Sequence, residues 1–220
     1  MSYETFRNAQ REVWIESEGV RVGGFLAIPD GAASIVLFAH GSGSSRFSSR
    51  NNYVASVLHE AGIATLLFDL LMEHEEIDRR NVFDIDLLAS RLMLATEWVK
   101  ADEALSGLKM GYFGASTGSA AALKASVLTP YEINAIVSRG GRPDMAADVL
   151  ERVTAPTLLI VGGNDDIVLE LNEAAYAKLQ CEKKMVIVPG ATHLFEEPGA
   201  LESVAELAKD WFVNHLGNDS

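Results

Sequence analysis

One cysteine, six prolines and five histidines are all that the 220 residues contain of the types that most often staple, interrupt or coordinate a chain. The lone Cys181 rules out an internal disulfide framework and suits a reducing compartment. No His/Cys cluster has metal-ligand spacing, and His59-Glu60 lacks the second histidine of a zinc-protease helix. No apolar run reaches the roughly 20 residues that span a bilayer. The opening residues Met1–Arg7 pass directly into charged positions, so no secretory leader is read there. Cationic residues are scarce: 18 Lys and Arg against 31 Asp and Glu give a net charge of -13, which disfavours nucleic acid and anionic membranes as partners. Gly-x-Gly-x-x-Gly and Walker A phosphate loops are also missing. The expectation is a cytoplasmic protein without cofactor or metal, and homo-oligomer formation stays open.

What is present is an alternation of short β-branched runs with longer amphipathic stretches. Residues 11–18 and 20–28 alternate in polarity and predict an antiparallel pair. Apolar runs at 34–39, 63–68, 108–113, 133–137, 157–161 and 184–188 have the composition of strands covered on both faces. Helical periodicity falls at about 50–61, 80–101, 117–128, 144–152, 168–180 and 199–216. Leu201, Val204, Leu207, Ala208, Trp211 and Phe212 show it most clearly, at three- and four-residue steps. Such alternation predicts right-handed βαβ crossovers, hence a mostly parallel, doubly wound eight-stranded sheet with helices on both faces. With no repeat or linker, residues 1–220 read as a single domain. The charged stretch 73–80 reads as a solvated loop.

Chemistry concentrates at strand ends. Gly114-Ala115-Ser116-Thr117-Gly118 lies between an apolar strand and a helix. In isolation this motif is equally an ordinary glycine-rich turn. In that context it fits a nucleophile elbow, whose small residues let strand and helix backbones approach. A serine nucleophile needs a base. His59 and His215 fall within helices and His74 in the acidic run, whereas His193 follows the last core strand, at the sheet edge where open α/β folds assemble sites. His40 reads as structural, its ring bonded to nearby backbone. The base needs a carboxylate to orient it, and Asp165 or Asp166, after strand 157–161, can serve. An oxyanion requires two amide donors. Thr117 follows the nucleophile, and the loop His40-Gly41-Ser42-Gly43 offers Ser42.

These segments, with Gly163-Asn164-Asp165-Asp166-Ile167-Val168 and Gly190-Ala191-Thr192-His193, resemble the dienelactone hydrolase-like branch of the α/β-hydrolase superfamily over about residues 20–215. The resemblance implies the α/β-hydrolase fold and a Ser116, Asp165, His193 triad, and it selects Asp165 because Val168 stands three positions on. Dienelactone hydrolases proper carry a cysteine nucleophile where Ser116 stands, so the resemblance implies an esterase-like enzyme more than lactone cleavage. Cys181 lies elsewhere in the chain and reads as a small packed or surface residue.

About twenty residues separate strands 133–137 and 157–161, too few for the helical cap that many relatives insert; a capless, open cleft is expected. Arg46 and Arg50 follow the oxyanion loop, and Arg139 and Arg142 open the long connection. All four are candidates for binding a substrate carboxylate. The plainer alternative pairs Arg139 or Arg142 with Asp144 or Asp69 and leaves Arg46 and Arg50 at the surface. The expected function is hydrolysis of a small-molecule carboxylic ester through an acyl-enzyme. An acyltransferase, a lactone hydrolase and a non-catalytic ligand-binding module on the same fold are the alternatives.

Overall fold

The computed structural model describes residues 3–217. Eight strands form one sheet: β1 (Arg11–Ser17), β2 (Val20–Ala27), β3 (Ser34–Ala39), β4 (Ala64–Phe68), β5 (Lys109–Ala115), β6 (Ala135–Arg139), β7 (Thr157–Gly162) and β8 (Lys183–Val188). Their spatial order is β1-β2-β4-β3-β5-β6-β7-β8. β1 pairs antiparallel with β2 and β2 antiparallel with β4; every other pairing is parallel. The helices are α1 (Tyr3–Ala9), α2 (Ser49–Glu60), α3 (Glu73–Glu76), α4 (Ile85–Ala101), α5 (Thr117–Leu128), α6 (Asp166–Lys178) and α7 (Ala200–Leu216).

Alternation along the central strands sorts side chains into two cores. Ile35, Leu37 and Tyr112 face α4 and α5, among Leu88, Leu92, Ala121 and Leu123. Val36, Phe38 and Phe113 face α2 and α7, among Val54, Leu58, Val204 and Phe212. Each fully buried side chain of this size contributes about 1.5–3 kcal/mol relative to exposure, so both faces must be covered for the sheet to persist. Gly111 makes room for α7: a Cβ there would lie 2.7 Å from the Phe212 ring. Thr96 and Tyr112 satisfy each other's buried hydroxyls at 2.6 Å.

Three expectations need correction. The predicted helix 144–152 is instead two 3-10 turns, Pro143–Ala146 and Leu150–Arg152. Ala146, Val149, Leu150 and Val153 are indeed buried, which produced the helical spacing. The amides of Met145, Ala147, Val149, Arg152 and Val153, however, each bond three residues back. Helix α4 begins at Ile85, not residue 80, because the Asp84 side chain caps the Leu87 amide at 3.0 Å. The charged stretch contains the short helix α3, held by Glu75, which accepts from the Met72 amide and pairs with Arg91. Helix α1 has no counterpart in the periodicity; buried Phe6, set edge-on to the His59 ring, anchors it.

With only the two turns between β6 and β7, no cap domain is inserted among the described residues. Nor is any described helix long and apolar enough to cross a membrane. The chain leaves β3 in one direction to β4 and returns across it to β5, so strand order reverses beside β3. Such reversals open a crevice at the carboxyl ends of the strands.

Candidate active site

Ser116 stands between β5 and α5 with φ 51° and ψ -121°. An L-residue pays roughly 1–3 kcal/mol to hold such a conformation, so surrounding structure must impose it. Two backbone bonds do: the Ser116 amide donates to the Arg139 carbonyl at 3.2 Å, and the Arg142 amide donates to the Ser116 carbonyl at 3.1 Å. The flanking glycines are sterically required. A Cβ on Gly118 would lie 2.1 Å from the Ala39 carbonyl oxygen, and one on Gly114 would lie 2.5 Å from the Ser119 Cα. The turn therefore has the sharp geometry expected of a nucleophile elbow.

His193 and Asp165 meet. His193 Nδ1 lies 2.7 Å from Asp165 Oδ2. A carboxylate accepts, so the proton resides on Nδ1 and Nε2 is left as the basic nitrogen. Their loops are sewn together: the Asn164 amide donates to Ala191 at 2.9 Å, its side chain to Gly190 at 3.0 Å, and the Gly163 amide to Val188 at 2.9 Å. A Cβ on Gly162 would lie 2.4 Å from the Ala191 carbonyl, so this contact also needs glycine. Beyond the histidine, buried Phe195 adopts φ 54° and closes the turn through its amide to Thr192. The bond is made by Asp165; Asp166 is the first residue of α6.

Ser116 and His193 border one cleft of about 200 Å³ together with Gly41, Ser42, Arg50 and Arg139. Thr117 is the first residue of α5, where an amide has no intrahelical acceptor. Ser42 lies across the cleft in a turn closed by the Ser44 amide to Gly41 at 3.2 Å. His40 anchors that turn, as its structural reading requires. The Leu70 amide donates to Nε2 at 3.0 Å, so Nδ1 carries the hydrogen and donates to the Gly41 carbonyl at 3.0 Å. Burial holds the His40 pKa below its ordinary value, against smaller upward pulls from the Gly41 bond and Asp69.

The four arginines separate. Arg46 does not reach the cleft, which corrects its candidacy. Its guanidinium pairs with Asp69 and with Glu12 at 3.1 Å, lies over Gly23 and stacks near Phe25 and Phe47. Arg142 is corrected too: it binds Asp144 through two 2.8 Å bonds two residues away. Short-range pairing of this kind completes an arginine's charge within its own loop. Arg50 and Arg139 remain in the cleft wall. Arg139 is buried because β6 extends two residues beyond the predicted strand end, making it the strand's last residue, opposite Ala115. Ser44, Ser48 and Leu194 also line the cleft, without a signal in the sequence to single them out.

The family profile described as alpha/beta hydrolase domain matches residues 32–209. The chain belongs to the α/β-hydrolase family. This hydrolase is 56% identical to a dienelactone hydrolase of Anabaena variabilis of known crystal structure, with a TM-score of 0.90 over 94% of this chain and 99% of that one. That likeness places it in the dienelactone hydrolase-like branch. An esterase of Pyrococcus furiosus shares the fold at 17% identity, with a TM-score of 0.79 over 99% and 97% of the two chains. A Mycobacterium tuberculosis protein with a provisional phosphoribosyl transferase name is 58% identical over 205 residues, 93% of this hydrolase and 46% of the relative. The chain thus spans about half the length of that curated relative.

Proposed function

We propose that this hydrolase cleaves the carboxylic ester of a small molecule through an acyl-enzyme on Ser116. The observation that carries the reading is the His193–Asp165 bond at 2.7 Å in a loop bordering the same cleft as the strained Ser116. His193 Nε2 takes the hydroxyl proton as Ser116 Oγ attacks the ester carbonyl. Asp165 fixes the tautomer and balances the imidazolium. The Ser42 and Thr117 amides bind the oxyanion. The tetrahedral intermediate expels the alcohol, which receives the proton from His193. Water, deprotonated by the same nitrogen, then frees the acid and restores Ser116.

A second reading, opening of a lactone, is favoured by the name of the 56% identical Anabaena protein. A lactone is a cyclic ester and asks nothing different of these residues. The transferase in the name of the mycobacterial relative has no observation in this cleft to support it, and that protein is more than twice the matched length. The test is p-nitrophenyl butyrate turnover by the parent and by Ser116→Ala. The variant is expected to lose roughly 10³-fold or more in kcat, with a covalent acyl adduct seen by mass spectrometry in the parent alone. An inactive parent, or equal rates in both, refutes the reading. Added alcohol or amine acceptors separate hydrolysis from acyl transfer by product.

A further inference from the structure

Asn172 is out of place in α6. Val168, Asn172, Ala175 and Leu179 recur at the spacing of one helix face, and all are buried. Packing alone asks for an apolar residue where Asn172 stands, because a buried amide is costly unless its polar atoms are bonded. Its Oδ1 has no hydrogen-bond partner among the described residues. Its Nδ2 makes two bonds. One, at 2.7 Å, returns to the Val168 carbonyl of the same helix; the other, at 3.0 Å, crosses to the Gly141 carbonyl.

Gly141 belongs to the clamp on Ser116. The Arg139 carbonyl accepts from the Ser116 amide at 3.2 Å and the Arg142 amide donates to the Ser116 carbonyl at 3.1 Å, so residues 139–142 set the position of the strained turn. The same loop abuts the base. Gly140, at φ 51°, packs so closely that a Cβ there would lie 3.2 Å from the His193 carbonyl oxygen and 3.5 Å from its Nδ1. Gly141 has no room for a side chain either, since a Cβ would lie 2.0 Å from Ser138 Oγ. Asp165, for its part, is fixed to the start of α6, its carbonyl accepting from the Leu169 amide at 2.8 Å. Asn172 therefore joins the helix that carries Asp165 to the loop that holds Ser116.

We propose that Asn172 is a positioning residue for Ser116: its bond to Gly141 fixes the nucleophile's turn relative to the Asp165–His193 pair, without touching substrate. This rests on the ester hydrolase reading above, but its structural half can be tested without turnover. Release of Gly141 leaves the His193–Asp165 bond in place, because the loops of that pair are tied to each other through bonds that do not include Gly141. What loosens is the clamp, and with it the aim of Ser116 Oγ at His193 Nε2. A displacement of about 1 Å at a reacting atom is enough to cost about 100-fold in rate. The loss falls on the chemical step, so it belongs to kcat and leaves KM as it was.

Asn172→Leu keeps a side chain of similar size and removes both bonds. Asn172→Ser keeps a hydroxyl that can bond the Val168 carbonyl but is too short to reach Gly141, and it carries the test if Asn172→Leu does not fold. With p-nitrophenyl butyrate, below the Tm of each variant, kcat should fall about 10- to 100-fold in both, with KM and the pH midpoint of kcat/KM as in the parent. Leu179→Ala truncates a fully buried side chain at the end of the same helix, and should lower Tm while keeping the parental kcat. Parental kcat in the Asn172 variants, a loss carried by KM, or the same kcat loss in Leu179→Ala overturns the proposal while leaving ester hydrolysis standing. Amide hydrogen exchange reads the clamp without turnover. The Ser116 and Arg142 amides should exchange faster in the Asn172 variants than in the parent, with the Leu169 amide of α6 unchanged. Unchanged exchange at Ser116 and Arg142 overturns the proposal. A parent inactive towards the ester refutes the hydrolase reading instead, and the exchange then decides whether Asn172 holds the clamp.

Discussion

Replacing Ser116 by glycine should make the fold more stable, although it removes the proposed nucleophile and introduces a more flexible residue. The residue is held at φ 51° and ψ -121° by bonds from its own amide to Arg139 and from the Arg142 amide to its carbonyl. Those bonds involve only backbone, so they survive replacement by glycine or alanine. A side-chain-bearing residue there costs about 2 kcal/mol of strain, the middle of the usual range. Glycine escapes that cost but loses about 0.7 kcal/mol through the greater freedom of its unfolded chain. The balance is a gain of about 1.3 kcal/mol, or roughly 3–5 °C in Tm for a domain of this size. Alanine is the control. Ser116→Ala also removes the hydroxyl, but keeps the Cβ and therefore the strain. Thermal and urea denaturation of the two variants should rank glycine above alanine, the reverse of their order in an unstrained strand or helix. Both should be inactive towards p-nitrophenyl butyrate. If alanine is equal to or more stable than glycine, the elbow is not strained and the account of how the turn is imposed fails.

Arg46→Ala should destabilise the protein without altering ester turnover, because its partners Asp69, Glu12, Phe25 and Phe47 lie away from the cleft. Loss of a largely buried charged hydrogen bond and its stacking is worth about 2 kcal/mol, read as a Tm drop of roughly 4–8 °C. A matching fall in kcat/KM would restore Arg46 to the site. Stability should also decline as pH is lowered below about 6.5. Burial depresses the folded pKa of His40, and of His59, below the unfolded value of 6.5, so the unfolded chain binds more protons there. Stability is full above 6.5 and is lost progressively as pH falls toward the folded pKa. His40→Gln should flatten that slope in a Tm series from pH 7.5 to 5; an unchanged slope would show that His40 does not titrate in this way.

The strand ends were legible in the sequence and the side chains between them were not. Each apolar run marks a strand because both its faces must be covered, and the glycines after those runs mark turns where backbones meet. Serine, histidine and aspartate at three such ends could therefore be nominated from pattern, with the family resemblance needed to choose Asp165 over Asp166. The charged residues resisted the same treatment. Arg46 and Arg139 each follow a hydrophobic run, yet one braces a loop and the other enters the cleft. What separates them is tertiary: Asp69 returns from the end of β4 to meet Arg46, while β6 runs two residues longer than its apolar core and carries Arg139 inward. Helix 144–152 failed for a related reason. Its buried positions do recur at helical spacing, but 3-10 turns bury the same residues while bonding three residues back. Periodicity reports which residues must be covered; which partner covers a charge is decided by the chain's return path, and at Arg139 that path brings no acid back among the described residues.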